Sequence, residues 1–382
     1  MEWEAYVEGV GAPPMHSQRL SVAVRFPRTT GEVEEALGVS PHVVLVGYPY
    51  YARPERIYRF SVSTTRLRRQ LYRLALPSLA LRAVDLGDLR APAYLEPLAK
   101  ELLRRGHRLI VLGGSQDAAQ ALFRALAAQE APFTYTLIDR KLDLLDPICV
   151  EEHPYRVYHR EMLLDREVEV PVWGQMLGLA WHWVSPGEEE VLHAQLRMPY
   201  LRLHELLAEP DRAEPFLRTA ALISVDLGIL RGAEAPAVLD PEPEGLPVEI
   251  AAKLMRFAGM GYRSDVFHLA NYFPQRDTDG RTAAAAALLV WYFIEGLLNP
   301  PVDFPAPDRT NLERYVVPVP DAGVRQLTFY QHPLTGRWWL EIVREDGLGP
   351  SRLFPCTRRE YEEAISGEIP RLWYLLQLAV PV

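Results

Sequence analysis

The chain is poor in lysine, in cysteine and in long apolar runs. Three of its 41 basic residues are lysine (Lys100, Lys141 and Lys253) and the rest are arginine. The two cysteines, Cys149 and Cys356, form no CxxC pair, so neither a disulfide framework nor a zinc ribbon is indicated. A net charge of −9 argues against a nucleic-acid-binding surface. The longest apolar run, Ala283 to Ile294, is too short to span a bilayer. The start, MEWEAYVEGV, is acidic and lacks a basic segment followed by an apolar one, so no signal peptide is read. The expected compartment is the cytoplasm, with no nucleic-acid and no membrane partner.

What is present is an ordinary globular composition. The 382 residues are 48% hydrophobic and 24% charged, enough for one large domain with an appendage. Apolar stretches alternate with helical spacing along most of the chain. Strands are expected at His42–Tyr50, His107–Leu112, Phe133–Asp139, Ala220–Val225 and Ser264–Ala270, and a short strand followed by a polar turn in Ala83–Leu89. Helices are expected at Thr65–Leu76, Tyr94–Arg105, Asp117–Ala128, Pro247–Ala258 and Thr282–Leu298. Continuous apolar strands alternating with helices predict an α/β fold, three αβα layers around a parallel sheet of about eight strands. Residues 1–40 form an N-terminal extension of unassigned structure, and 41–314 the main domain. The middle, from Asp146 to Glu214, reads as less regular, with an aromatic cluster in VWGQMLGLAWHWV and a helix expected around EEEVLHAQL. Residues 315–382 read as an appendage, a β-hairpin in RQLTFYQHPLTGRWWLEI followed by two short helices.

Three loops that follow apolar strands carry acids. They are Gly113-Gly114-Ser115-Gln116-Asp117, Ile138-Asp139-Arg140-Lys141-Leu142-Asp143, and Ser224-Val225-Asp226-Leu227-Gly228. In a parallel sheet such loops gather at one edge, where sites are built. GGS is no phosphate loop, because it lacks the spacing and the lysine.

In order, spacing and strand context these loops resemble the ureohydrolase family of arginase, agmatinase and formimidoylglutamase. That family's motifs are Gly-Gly-Asp-His, Asp-x-His-x-Asp and Ser-x-Asp-x-Asp. The segments LAKELLRRGHRLIVLGG, SVDLGILRGAEAPAVLDPEPEGLPVEIAAKLMRFAGM and RDTDGRTAAAAALLVWYFIEGLLN extend the resemblance. So does DLGD (Asp85 to Asp88), placed like the family's early Asp-x-Gly-Asp loop. The tail, with RWWLEI and EIPRLWY, resembles a divergent arginase-like or formimidoylglutamase-like branch. The resemblance implies an arginase-like fold. It also implies chemistry in which two manganese ions activate a bridging water that attacks a guanidinium-type carbon.

Position by position, the metal motifs are degenerate. Gln116 stands for the first motif's histidine, Lys141 for the second motif's histidine, and Gly228 for the third motif's last acid. Asp139, Asp143 and Asp226 are kept, so three of six ligand positions survive. Glutamine is a weak donor and glycine is none. An ammonium has no lone pair and would repel a divalent ion by several kcal/mol, roughly, at intermediate dielectric. The family's substrate-orienting glutamate aligns near Asn271. The expectation is a vestigial pocket in which Lys141 sits among Asp139, Asp143 and Asp226, cancels their repulsion, and leaves Gln116 to hydrogen-bond in place of a ligand.

Asp117 is expected at a helix N-terminus, with a pocket role as the alternative. His182, in the aromatic WHW, is expected in the core, again with a pocket role as the alternative. The pairs His153/His159 and His193/His204 lack metal-ligand spacing. The Asp277/Asp279/Arg281 group is expected to cap the helix that follows.

The expected function is a catalytically silent relative that binds or scaffolds without a cofactor. The alternatives are a manganese hydrolase of a guanidino or formimino C–N bond with a rearranged site, and a metal-free sensor of an amino-acid-like ligand. Self-association and a protein partner are expected. Fold similarity alone does not choose among these.

Overall fold

The computed structural model describes residues 1–13, 17–51, 58–59, 63–144, 158–163, 168–192, 198–319, 326–343 and 351–379. Cys149, His153 and His193 lie outside them.

Ten strands form the central sheet. They are β1 (Val7–Glu8), β2 (Val24–Arg25), β3 (Val43–Gly47), β4 (Ala83–Leu89), β5 (Leu109–Leu112), β6 (Phe133–Ile138), β7 (Val172–Leu179), β8 (Tyr200–Arg202), β9 (Ala220–Asp226) and β10 (Val266–Ala270). Their order is β1-β4-β3-β5-β10-β9-β6-β7-β8, with β2 beside β4. All pairings are parallel except β1 with β4. The α/β expectation holds, with two more strands than expected. Two short strands, β1 and β2, lie in the first forty residues, and both pair with β4.

The inner strands are buried on both faces, as continuous Val/Leu/Ile runs require. One apolar core lies on each side of the sheet. Phe267 and Phe293 stack in the first, and Phe123, Phe133 and Tyr135 lie in the second. The longest described helix, Arg281–Leu297, closes the first core. Its N-terminus is capped by Asp277, whose carboxylate accepts from the Thr282 and Ala283 N–H groups at 3.2 and 3.0 Å. At the same end Asp279 accepts from the Arg281 N–H at 3.1 Å and pairs with its guanidinium.

The middle region is more regular than its sequence suggested. VWGQMLGL is the eight-residue strand β7, parallel to β6. Its Gly and Gln break the apolar run that marks the other inner strands. The C-terminal hairpin is part of a four-stranded antiparallel sheet, β11 (Glu313–Pro318), β12 (Gln326–Gln331), β13 (Trp338–Ile342) and β14 (Arg352–Cys356). Helices Arg358–Ile365 and Arg371–Ala379 follow it. Trp338 and Trp339 are buried, and Arg218 ties this sheet to the main layer by donating to the Trp338 carbonyl at 2.8 Å. Among the described residues no helix is long and apolar enough to cross a membrane.

Candidate functional site

The neighbouring strands β5, β10, β9 and β6 deliver four loops to one edge of the sheet. The loop after β5 turns through Gly113 and Gly114, both at positive φ. A Cβ on Gly114 would lie 2.2 Å from the Tyr48 ring and 2.8 Å from two backbone carbonyls, so only glycine fits. This turn places Gln116 in the interior, 5% exposed. Neither its Oε1 nor its Nε2 has a hydrogen-bond partner among the described residues. The expected bond in place of a metal ligand is therefore not made. Asp117 sits at the N-cap of helix Ala118–Ala127, but its side chain makes no cap bond.

The acids meet at the ends of β6 and β9. Asp139 is buried and accepts from the Lys141 backbone N–H at 3.1 Å. Asp226 accepts from the Gly228 N–H and from Asn271 Nδ2, both at 2.6 Å. Asn271, at φ +67°, also accepts from the Leu239 N–H at 2.9 Å and so fixes the neighbouring loop. Asp143 completes the group at φ +52°.

Enclosure pushes all three carboxyls above the usual range. Asp139 rises to about 8, through burial first and then the Asp226 charge. Asp143 rises well up, through burial and then Asp139, and Asp226 rises through burial against its Asn271 bond. Desolvation outweighs the two nearby cations, Arg140 and Lys141, which pull Asp139 and Asp226 the other way.

Those cations are arranged differently from expectation. Lys141 does not lodge among the three acids. Its Nζ pairs with Asp240 at 3.0 Å and lies 4.4 Å from the Trp183 ring centre, with a fifth of the side chain exposed. The interior cation is Arg140, 4% exposed. Its Nη2 donates to the Asp240 carbonyl at 2.7 Å, while Nε and Nη1 have no partner among the described residues. Gly228 makes room for it. A Cβ there would lie 2.7 Å from Asp226 Oδ1 and 3.3 Å from both Arg140 Nη2 and Asn271 Nδ2. A guanidinium thus borders the position where the resemblance puts a sixth metal ligand.

His182 leaves both expectations unmet. It is more than half exposed, with Nδ1 3.6 Å from Glu244 Oε2. Two other histidines are satisfied in the core. His159 lies 3.1 Å from the Tyr135 hydroxyl and His268 3.0 Å from Ser224 Oγ, and burial lowers each to about 4.

A sequence profile of the arginase family matches residues 42–295. The chain belongs to the arginase family. A formimidoylglutamase of Paraburkholderia xenovorans (strain LB400) is 28% identical over 236 residues, covering 54% of this chain and 70% of that one. The Trypanosoma cruzi formiminoglutamase solved with Mn2+ superposes with a TM-score of 0.59 at 18% identity, covering 69% of this chain and 95% of that one. Arginase from Bacillus subtilis gives 0.56 at 18% identity, covering 69% and 100%. At such identities the structural likeness establishes the arginase-family fold, and the chemistry has to be argued from this chain's own residues.

The buried titratable groups make stability depend on pH. A raised carboxyl binds a proton in the folded state that the unfolded chain has released. Its stabilisation is complete below the unfolded value and is lost as pH rises through the folded one. The lowered histidines, His42, His107, His159 and His268, act oppositely, but only below about 6.5. Between pH 6.5 and 8 the carboxyls act alone. Stability is expected to fall there by about 1–2 kcal/mol. Urea titrations at four pH values check this, and Asp139→Asn flattens the slope.

Proposed function

We propose that this arginase-family chain binds without hydrolysing, its dimanganese centre replaced by an internal guanidinium. The observation that carries the reading is Arg140, buried beside Asp226 in the space opened by Gly228.

Two manganese ions a few ångströms apart need several carboxylates to offset their charge, and imidazoles suit such ions. This donor set is three carboxyls and one amide, without a histidine. A fixed positive charge next to Asp226 opposes any divalent ion there. A guanidinium suits the place because it is planar, stays charged at any working pH, and carries several donors in a fixed fork. The residues therefore do not fit the metal pair, and no hydrolytic step is derived through it.

The rest of the cleft is consistent with binding. The Gln116 amide and the Nε and Nη1 of Arg140, which have no partner among the described residues, are buried polar atoms that a small polar occupant would satisfy. Self-association, common in the family the sequence resembles, belongs to the same proposal and is read by light scattering.

Hydrolysis assays test the reading. Full-length protein, supplied with manganese, is incubated with N-formimidoyl-L-glutamate, L-arginine and agmatine. No product above the protein-free blank is expected. Turnover of any of the three restores the hydrolase reading.

A further inference from the structure

A cavity of about 1010 Å³ lies between helix Ser63–Leu71, with the turn after it, and the segment that leads from β1 toward β2. Among the described residues its lining comes from two stretches of chain, 10–19 and 65–74, and none of it belongs to the loops of the carboxylate cleft. Neither stretch contains an acid. The second lies within a longer run, Arg56 to Val84, that carries seven arginines and no acid in a chain whose net charge is −9.

Four arginines line the cavity, Arg19, Arg68, Arg69 and Arg73. The buried one, Arg68, is engaged by Asp85 and Asp88 behind the wall. The other three are exposed and have neither an ion-pair nor a hydrogen-bond partner for their guanidinium among the described residues. On the Gln70 side, next to Gly280, the nearby acid Asp279 is taken up by Arg281. Setting Asp85 and Asp88 against all four arginines leaves a surplus of two positive charges. With Glu8 added, two residues before Val10, the balance is still positive.

The backbone brings the three cations together. Arg69 and Arg73 are four residues apart and so project from one face, one helical turn apart. Arg19 is held across from them by an antiparallel bridge to Ala75. The Leu20 N–H donates to the Leu74 carbonyl and the Leu76 N–H to the Gln18 carbonyl, both at 3.0 Å. Val10, Pro13 and Leu74 add carbon surface between the charges. One carboxylate answers one guanidinium, whereas three of them around one space call for several negative charges on one molecule. The planar fork of arginine matches phosphate oxygens two at a time. The volume equals roughly thirty waters at about 30 Å³ each, which suits a ligand of nucleotide size. The net charge of the whole chain disfavours a nucleic-acid polymer on the same face.

We infer that this cavity binds a small molecule carrying two or more phosphate groups, held by Arg19, Arg69 and Arg73. The inference goes beyond the reading of the cleft and does not depend on it.

Calorimetry and thermal unfolding of the full chain in metal-free buffer test it, with inorganic pyrophosphate and inorganic phosphate as probes. Pyrophosphate is expected to bind, to raise Tm and to weaken as salt is added. Phosphate should bind at least tenfold more weakly. Arg69→Gln combined with Arg73→Gln changes two exposed side chains, so the ligand-free Tm should hold while pyrophosphate affinity falls at least tenfold. Arg314→Gln combined with Arg358→Gln makes the same change of charge on the C-terminal part and should leave that affinity unchanged. No binding of pyrophosphate at millimolar concentration would overturn the inference. So would an equal loss in the two double variants, which would mean general charge attraction. Displacement of pyrophosphate by a short DNA duplex would make the face a nucleic-acid surface and overturn it as well.

Discussion

Arg68→Met is expected to destabilise the protein by about 3–5 kcal/mol, a large fraction of a typical domain's stability. Arg68 is 3% exposed on helix Ser63–Leu71 and reaches two buried acids of the DLGD segment in β4. It donates to Asp85 at 2.7 and 3.0 Å, to Asp88 at 2.5 Å and to the Gly87 carbonyl at 2.9 Å. Thr64 supports Asp88 and Tyr72 supports Asp85. Removing the guanidinium strands two buried carboxylates that no longer have a cation. The comparison is the surface pair Arg358–Glu362, whose side chains are 73% and 57% exposed and whose loss is expected to cost under about 1 kcal/mol. Urea denaturation separates the two variants. If Arg68→Met matches Arg358→Met, the buried network does not anchor this edge. Arg68→Met combined with Asp85→Asn and Asp88→Asn should regain part of the loss.

The second large effect concerns the cleft. Arg140→Met is expected to cost about 2–3 kcal/mol at pH 8.5, where Asp139, raised to about 8, has lost its proton and needs the cation. The cost should shrink toward pH 6, where the folded state holds the Asp139 proton. The sign follows from the raised Asp139: once it is neutral, less repulsion is left for Arg140 to offset. Some loss persists at both pH values, because the bond from Nη2 to the Asp240 carbonyl goes as well. Parallel urea titrations at the two pH values measure the difference. An equal cost at both would mean that Arg140 packs the loop without balancing the acids.

Much of the fold was legible because its inner strands are apolar runs ending in polar loops. Ala220–Asp226 and Val266–Ala270 could be placed almost to the residue. Strand β7 was not legible, since Gly174, Gln175 and Gly178 break the pattern and its pairing with β6 supplies what its own residues lack.

In the site, the positions that gather were legible from spacing, but the identity of the inward cation was not. Asp139, Arg140 and Lys141 are consecutive, and which one turns inward depends on the backbone after the strand. It also depends on Asp240, about a hundred residues further on, which takes both the Lys141 ammonium and the Arg140 guanidinium. The one local signal was Gly228. It was read as a missing ligand, whereas in the fold it is also the space into which Arg140 fits.

The replacement of two metal ions by one guanidinium is the central claim, and metal content tests it most directly. Purified full-length protein is soaked in manganese, desalted and analysed by elemental mass spectrometry. The account predicts well under one equivalent per chain. Two equivalents would contradict it, because the ions would then share the pocket with Arg140 or displace it.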